Sequence, residues 1–295
     1  MAADASESTP PGKTRTVQVL ESTNGVQLAT YDFGGSGPMM LLAHATGFHG
    51  RVYRALANEL AADYHSVALD YRGHGDSSPP ADNDFNWHGY GHDTSVFTKY
   101  LDAQPLFAFG HSMGGAALLM AELDAPGTFA GLVVFEPIVM PAVIEIPQGQ
   151  GNFLAAGARK RRSTFASFDA AFDNYRSKPP LSGWDASILR DYVEYGLRDD
   201  GNGGVTLKCT GENEALTYEM GGTHGTFERL NEVTCPVLVL AGTIDGEGPA
   251  AMAETIAVNL KNGLYKQFDQ LTHFGPMEAP SLIAATITEY FAGLD

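Results

Sequence analysis

Ser112 is the residue around which chemistry is most readily built. It stands in Gly110-His111-Ser112-Met113-Gly114. Before it runs the apolar stretch Leu106 to Phe109, which reads as a buried strand. After it runs Ala116 to Glu122, rich in strong helix formers. A chain that passes from strand to helix in so few residues bends sharply and pushes the residue at the bend toward strained dihedrals. Its neighbours two before and two after must be small, because the strand and helix backbones nearly touch there. The Ser112 hydroxyl is then held clear of the sheet. The N–H of Met113 opens the helix, where it can stabilise an anion. A serine is a weak nucleophile without a base in reach, and histidine titrates close to neutrality. Of nine histidines, His273 is placed best. It follows the last strand-like run, and strand C-termini in an open α/β sheet all face one crevice. The chemistry this predicts is acyl transfer by an activated serine.

The elements that must hold these groups alternate in type. Thr16–Leu20 and Val26–Tyr31 are rich in strand formers, and Asn24-Gly25 between them predicts a hairpin. Met39–Ala43 is wholly apolar, as strands buried on both faces are. Helical and strand patterns then follow in turn: Val52–Ala62, Ser66–Asp70, His92–Asp102, Leu106–Phe109, Gly131–Glu136, Val237–Ala241, Leu264–Phe268 and Ser281–Leu294. The prediction is an α/β fold, a doubly wound and mostly parallel sheet with helices on both faces. The alternation breaks between Glu136 and Pro236. The stripes Phe165, Phe168, Phe172, Tyr175 and Trp184, Ile188, Leu189, Tyr192 there have helical spacing and read chiefly as core. The basic run Arg159-Lys160-Arg161-Arg162 reads as a solvated helix face. Residues 1–15 are polar, contain Pro10-Pro11-Gly12, and read as a disordered tail.

From about residue 17 to 292 the chain resembles the α/β-hydrolase superfamily, on the strength of the Gly-x-Ser-x-Gly turn in its strand and helix context. The run His273-Phe274 with Glu278 and Pro280 resembles that family's catalytic-histidine loop. The resemblance implies a core of residues 16–137 and 231–295, with a helical lid inserted at 138–230. Two carboxylates compete for the third member of the triad. Asp245, in Gly242-Thr243-Ile244-Asp245 before Pro249, is similar to the family's usual acid loop and keeps the chain order Ser, Asp, His, so it is preferred. Glu136, at the end of the strand in Phe135-Glu136-Pro137, is the alternative, since some members place their acid there. The loop His44-Ala45-Thr46-Gly47 matches the family's His-Gly-x loop with Ala45 in place of glycine. By that match the Thr46 N–H joins Met113 in the oxyanion hole, and His44 is structural.

Bulk properties remove other classes. A chain of 295 residues with 44% hydrophobic and 18% charged residues is globular, and its net charge of −17 argues against nucleic-acid and anionic-membrane partners. No apolar run has the length of a membrane helix, and the start of the chain carries no secretory pattern, so the expected location is the cytoplasm. Cys209 and Cys235 are too few for a disulfide framework and match no metal motif. His88 and His92 have metal-ligand spacing, but no carboxylate motif accompanies them and Gly89 and Gly91 argue against a firm helix. No cofactor or metal is expected. The expected function is hydrolysis of a small-molecule carboxylic ester or lactone through an acyl-enzyme. A C–C hydrolase, a thioesterase and a ligand-binding receptor on the same scaffold remain the alternatives.

Overall fold

A computed structural model describes residues 15–141, 152–221, 224–246 and 248–294. The tail expected at 1–15 falls outside the described residues except for its last position. In chain order, strand β1 (Arg15–Glu21), β2 (Gln27–Gly35) and β3 (Met39–Ala43) precede helix α1 (Arg54–Leu60). Then come β4 (His65–Leu69), α2 (Trp87–Leu101), β5 (Leu106–His111), α3 (Met113–Asp124) and β6 (Gly131–Phe135). An insertion follows, with α4 (Phe153–Lys160), β7 (Thr164–Phe165), α5 (Phe168–Arg176), α6 (Ala186–Gly196), β8 (Leu197–Asp199), β9 (Val205–Leu207) and α7 (Gly211–Met220). The chain closes with β10 (Val237–Ala241), α8 (Pro249–Asn259), β11 (Gly263–Gln267), the short α9 (Gly275–Glu278) and α10 (Pro280–Ala292).

Eight strands form one sheet in the order β1-β2-β4-β3-β5-β6-β10-β11. The β1–β2 and β2–β4 pairs are antiparallel, and the other pairs are parallel. This is the doubly wound, mostly parallel sheet expected. The two-residue period of the strands divides the core in two. Leu41, Ala43, Ala108, Val134 and Val239 pack on one face with Ala116 and Phe97 from α3 and α2. Met40, Leu42, Phe109, Val133 and Leu240 pack on the other with Leu56 and Ile287 from α1 and α10. Because both faces are covered, these strands read as continuous apolar runs rather than alternating ones.

Two sequence expectations need correction. Helix α2 begins at Trp87, five residues before the predicted start, and runs through Gly89 and Gly91. The Asn86 side chain caps it, accepting from the His88 N–H. Both glycines are sites of close packing. A Cβ on Gly89 would lie 2.3 Å from the Arg72 guanidinium, and one on Gly91 would lie 2.7 Å from Met120 Cβ. Their missing side chains let the helix approach its neighbours, so they do not break it. Second, the insertion is not helix and loop alone: β7, β9 and β8 form a separate three-stranded antiparallel sheet. Strands of two or three residues are too short to show a two-residue hydrophobic period. Among the described residues no helix is long and apolar enough to cross a membrane.

Beside the nucleophile turn, β3 and the start of α3 approach closely. A Cβ on Gly114 would stand 2.3 Å from the Ala43 carbonyl oxygen, which is main chain and has no rotamer to move. Gly114→Ala should therefore destabilise the protein by about 3 kcal/mol, the upper range for overpacking. Urea unfolding measures this, and a loss below about 1 kcal/mol would show that β3 can move away from the helix.

Candidate active site

Ser112 follows β5 directly, with φ 56° and ψ −117°. That region is costly for a residue with a side chain and persists only where the surroundings impose it. Here they do. The Ser112 N–H donates to the Phe135 carbonyl at 2.9 Å, and its carbonyl accepts from Ala116 N–H and Ile138 N–H, both at 3.2 Å. On the other side of the turn, a Cβ on Gly110 would meet Gly115 Cα at 2.7 Å. Ser112 is 6% exposed. Met113 is the first residue of α3, so its N–H is among those a helix cannot satisfy internally.

His273 lies between β11 and α9, as the sequence predicts. Its Nδ1 donates to Glu136 Oε2 at 2.6 Å. Glu136 comes directly after β6, is 1% exposed, and has φ 45°. Its second oxygen, Oε1, accepts from the Gly242 N–H at 2.8 Å. Among the described residues five non-glycine residues have positive φ. Three are Asn or Asp, which tolerate that region; the other two are Ser112 and Glu136.

The expected partner of His273, Asp245, is not there. It is exposed on the loop after β10. The reason is where β10 ends. Gly242, the first residue past that strand, brings a backbone N–H to the site and gives it to Glu136. The carboxylate that meets the imidazole therefore comes from β6, one strand earlier, and Asp245 lies three residues further along an outward loop.

The loop after β3 has the rigidity expected of it. His44 Nδ1 donates to the Ala45 carbonyl at 2.8 Å, and its Nε2 accepts from the Tyr71 N–H at 2.9 Å. Burial, reinforced by His74, keeps this ring neutral by pushing its pKa well below the usual histidine value. Gly47, at φ 78°, turns the chain after Thr46. Thr46, Ser112 and His273 all line one cavity of about 1250 Å³, whose other walls come from α4, α5, α6, α7 and the loop after β6.

Comparison with known proteins gives the family. The model of the alpha/beta hydrolase family matches residues 40–286. The chain belongs to the alpha/beta hydrolase family. It is 36% identical over 252 residues to the magnesium-chelatase 30 kDa subunit of Rhodobacter capsulatus, covering 79% of this chain and 80% of that one. Among solved structures it is similar to E-2-(acetamidomethylene)succinate hydrolase, with a TM-score of 0.80 at 20% identity, covering 95% of this chain and all of the other. It is also similar to an esterase from Exiguobacterium antarcticum, with a TM-score of 0.70 at 15% identity over 92% and 98% of the two chains. At those identities the two structures speak for the fold.

The wall of this cavity holds an ion pair that the sequence did not reveal. Arg159 and Lys160 are exposed, and Arg159 pairs at the surface with Glu212 and Glu219, as a solvated face would. Arg161 does not follow them. The helix ends at Lys160, and Arg161 adopts extended dihedrals that turn its side chain inward. There it donates to the Glu214 carboxylate, to the Tyr192 hydroxyl at 2.9 Å and to the Tyr175 hydroxyl at 3.2 Å. Glu214 in turn packs against Gly47, beside Thr46: a Cβ there would be 2.9 Å from Glu214 Oε1. A run of four basic residues does not itself show which member leaves the helix. The local signal was the end of the α4 pattern between Lys160 and Arg161.

Arg161→Met would leave Glu214 without its cation in a largely buried wall. The expected loss is about 2 kcal/mol, below the range for fully buried pairs because both side chains keep some solvent contact. Adding Glu214→Gln should recover more than half of it, whereas Arg159→Met should change stability little. Urea denaturation of the three variants checks this. Equal losses for Arg161→Met and Arg159→Met would mean that the inner pair is energetically no different from a surface pair.

Proposed function

We propose that the chain is a serine hydrolase that cleaves a carboxylic ester or lactone through an acyl-enzyme, with Ser112, His273 and Glu136 as its triad. The observation that carries this reading is the 2.6 Å bond from His273 Nδ1 to the buried Glu136 carboxylate, on the cavity that Ser112 also lines. A carboxylate on Nδ1 leaves the lone pair of the neutral ring on Nε2, the nitrogen available to take a proton from serine.

In this mechanism the Ser112 oxygen attacks the substrate carbonyl while its proton passes to His273 Nε2. Glu136 stabilises the imidazolium that forms, and the N–H groups of Met113 and Thr46 hold the oxyanion. His273 then gives the proton to the departing alkoxide oxygen, leaving Ser112 acylated. In the second half water loses a proton to His273, attacks the acyl carbon, and releases the acid as Ser112 recovers its proton. For a lactone the leaving oxygen becomes a hydroxyl of the acyl chain itself, and the last step releases a single hydroxy acid. The insertion at 138–230 serves as the lid in this reading, since α4 to α7 form most of the cavity wall above Ser112. The substrate is a small molecule, and apolar walls such as Ile138, Leu154, Leu181 and Phe274 suit an acyl or alkyl portion.

Two experiments test the proposal. Ser112→Ala should abolish hydrolysis across a panel of esters, lactones and thioesters, and a phosphonate ester should label the wild-type chain once, at Ser112. Glu136→Gln should lower kcat by about 10³ to 10⁴-fold with little change in KM, the size expected for loss of a triad carboxylate, while Asp245→Asn stays within about threefold of wild type. The reverse ranking would return the acid to the loop after β10. Stoichiometric labelling without turnover on any of the panel would favour a ligand-binding role for the same cavity.

A further inference from the structure

His111 immediately precedes Ser112 and is fully buried. Its Nε2 lies 2.8 Å from the His273 carbonyl oxygen, and its Nδ1 lies 2.9 Å from the Tyr53 hydroxyl. A carbonyl can only accept, so Nε2 carries the proton. Nδ1 then holds the lone pair and accepts from the Tyr53 O–H. The two ring nitrogens are thus satisfied in one tautomer only.

We propose that His111 is a positioning residue that ties the main chain of the base His273 to the nucleophile turn, with the Tyr53 hydroxyl fixing the tautomer this requires. The proposal rests on the reading of Ser112 and His273 as nucleophile and base. Its physical basis is the arrangement of the loops. His273 stands on an irregular segment after β11, the outermost strand on that side of the sheet, three strands from β5. Its imidazole is anchored at Nδ1 by Glu136, but one bond leaves a ring free to swing about that contact. The second tether acts on the backbone of the same residue and starts from the residue beside Ser112. Two anchors, one on the ring and one on the main chain, restrict where Nε2 can be relative to the serine oxygen. Reaction rates depend steeply on such placement.

Two further features fit. The His111 and His273 rings lie 4.9 Å apart, and burial together with the nearby His273 keeps His111 neutral, so the donor and acceptor pattern persists when His273 gains a proton. Through His111 the Tyr53 hydroxyl, the nucleophile turn and the base loop are joined by a single line of hydrogen bonds.

The test compares His111→Leu, His111→Gln and Tyr53→Phe. Leucine removes the donor. Glutamine keeps an N–H near the position of Nε2, and phenylalanine removes only the hydroxyl. With a substrate from the ester panel, His111→Leu should lower kcat about 10 to 100-fold with KM unchanged, His111→Gln should return to within about threefold of wild type, and Tyr53→Phe should fall roughly threefold to tenfold. The second readout needs no turnover: the far-downfield proton resonance of the His273 Nδ1–H bonded to Glu136. It should broaden or move upfield in His111→Leu and Tyr53→Phe and stay in place in His111→Gln. If His111→Leu does not fold, Tyr53→Phe and the resonance decide. Folded variants with wild-type kcat and an unmoved resonance overturn the proposal, as does a kcat loss that glutamine does not relieve. A chain that hydrolyses nothing overturns the catalytic reading instead, and the resonance then reports separately on the tether.

Discussion

The site depends on the charge of Glu136 being held inside the protein. A carboxylate 1% exposed loses its hydration, and that cost is recovered only through bonds made by the protein. Glu136 has one bond for each oxygen, from Gly242 N–H and from His273 Nδ1. These two donors come from the ends of two different strand connections, after β10 and after β11. The carboxylate therefore does more than orient an imidazole: it fastens three C-terminal strand ends of the sheet together. It does so from a left-handed backbone conformation that glutamate does not favour, which β6 and its neighbours must enforce.

The same need for close approach explains the glycines around Ser112. The strand and helix on either side of Ser112 are almost wholly buried, and a methyl group would meet Gly115 at Gly110, the β3 backbone at Gly114 and Pro137 at Gly115. Gly115 meets Pro137, the residue after Glu136, with a would-be Cβ contact of 2.9 Å. The nucleophile turn and the acid turn are thus in van der Waals contact as well as hydrogen bonded through Ser112 N–H and the Phe135 carbonyl. Strain at Ser112 and strain at Glu136 are sustained by one shared piece of packing.

Much of this was legible in the residues. The central strands announced themselves as unbroken apolar runs because each is covered on both faces, and the elbow did so because few other contexts demand glycine two before and two after a serine. His273 was identified by its place after the last strand. Its carboxylate partner Glu136 was named only as the alternative, because a loop of the form Gly-x-x-Asp resembles the family's common arrangement more closely than Phe-Glu-Pro does. Its physical signal was nonetheless present: a carboxylate ending a wholly apolar strand must find donors inside the fold. Arg161 was hidden for a different reason. Four successive basic residues look alike in sequence, and the end of α4 separates Arg159 and Lys160 on the helix from Arg161, whose side chain turns into the cavity wall. The roles of Gly89 and Gly91 were hidden because a small residue in a helix reads as weakness until its neighbour is known.

Register explains why the acid can come from β6. Strands β5 and β6 pair in parallel with His111 opposite Phe135. Continuing one step, Ser112 falls opposite Glu136, so the two residues are cross-strand neighbours at the sheet's C-terminal edge. An imidazole reaching in from the far side of β10 meets Glu136 there. An acid in the loop after β10 would come from the strand next to β11 instead, further from Ser112. With Glu136 in place that loop is released from holding the base. Its first residue contributes only an N–H, and Gly248 and Pro249 at its far end line the cavity instead.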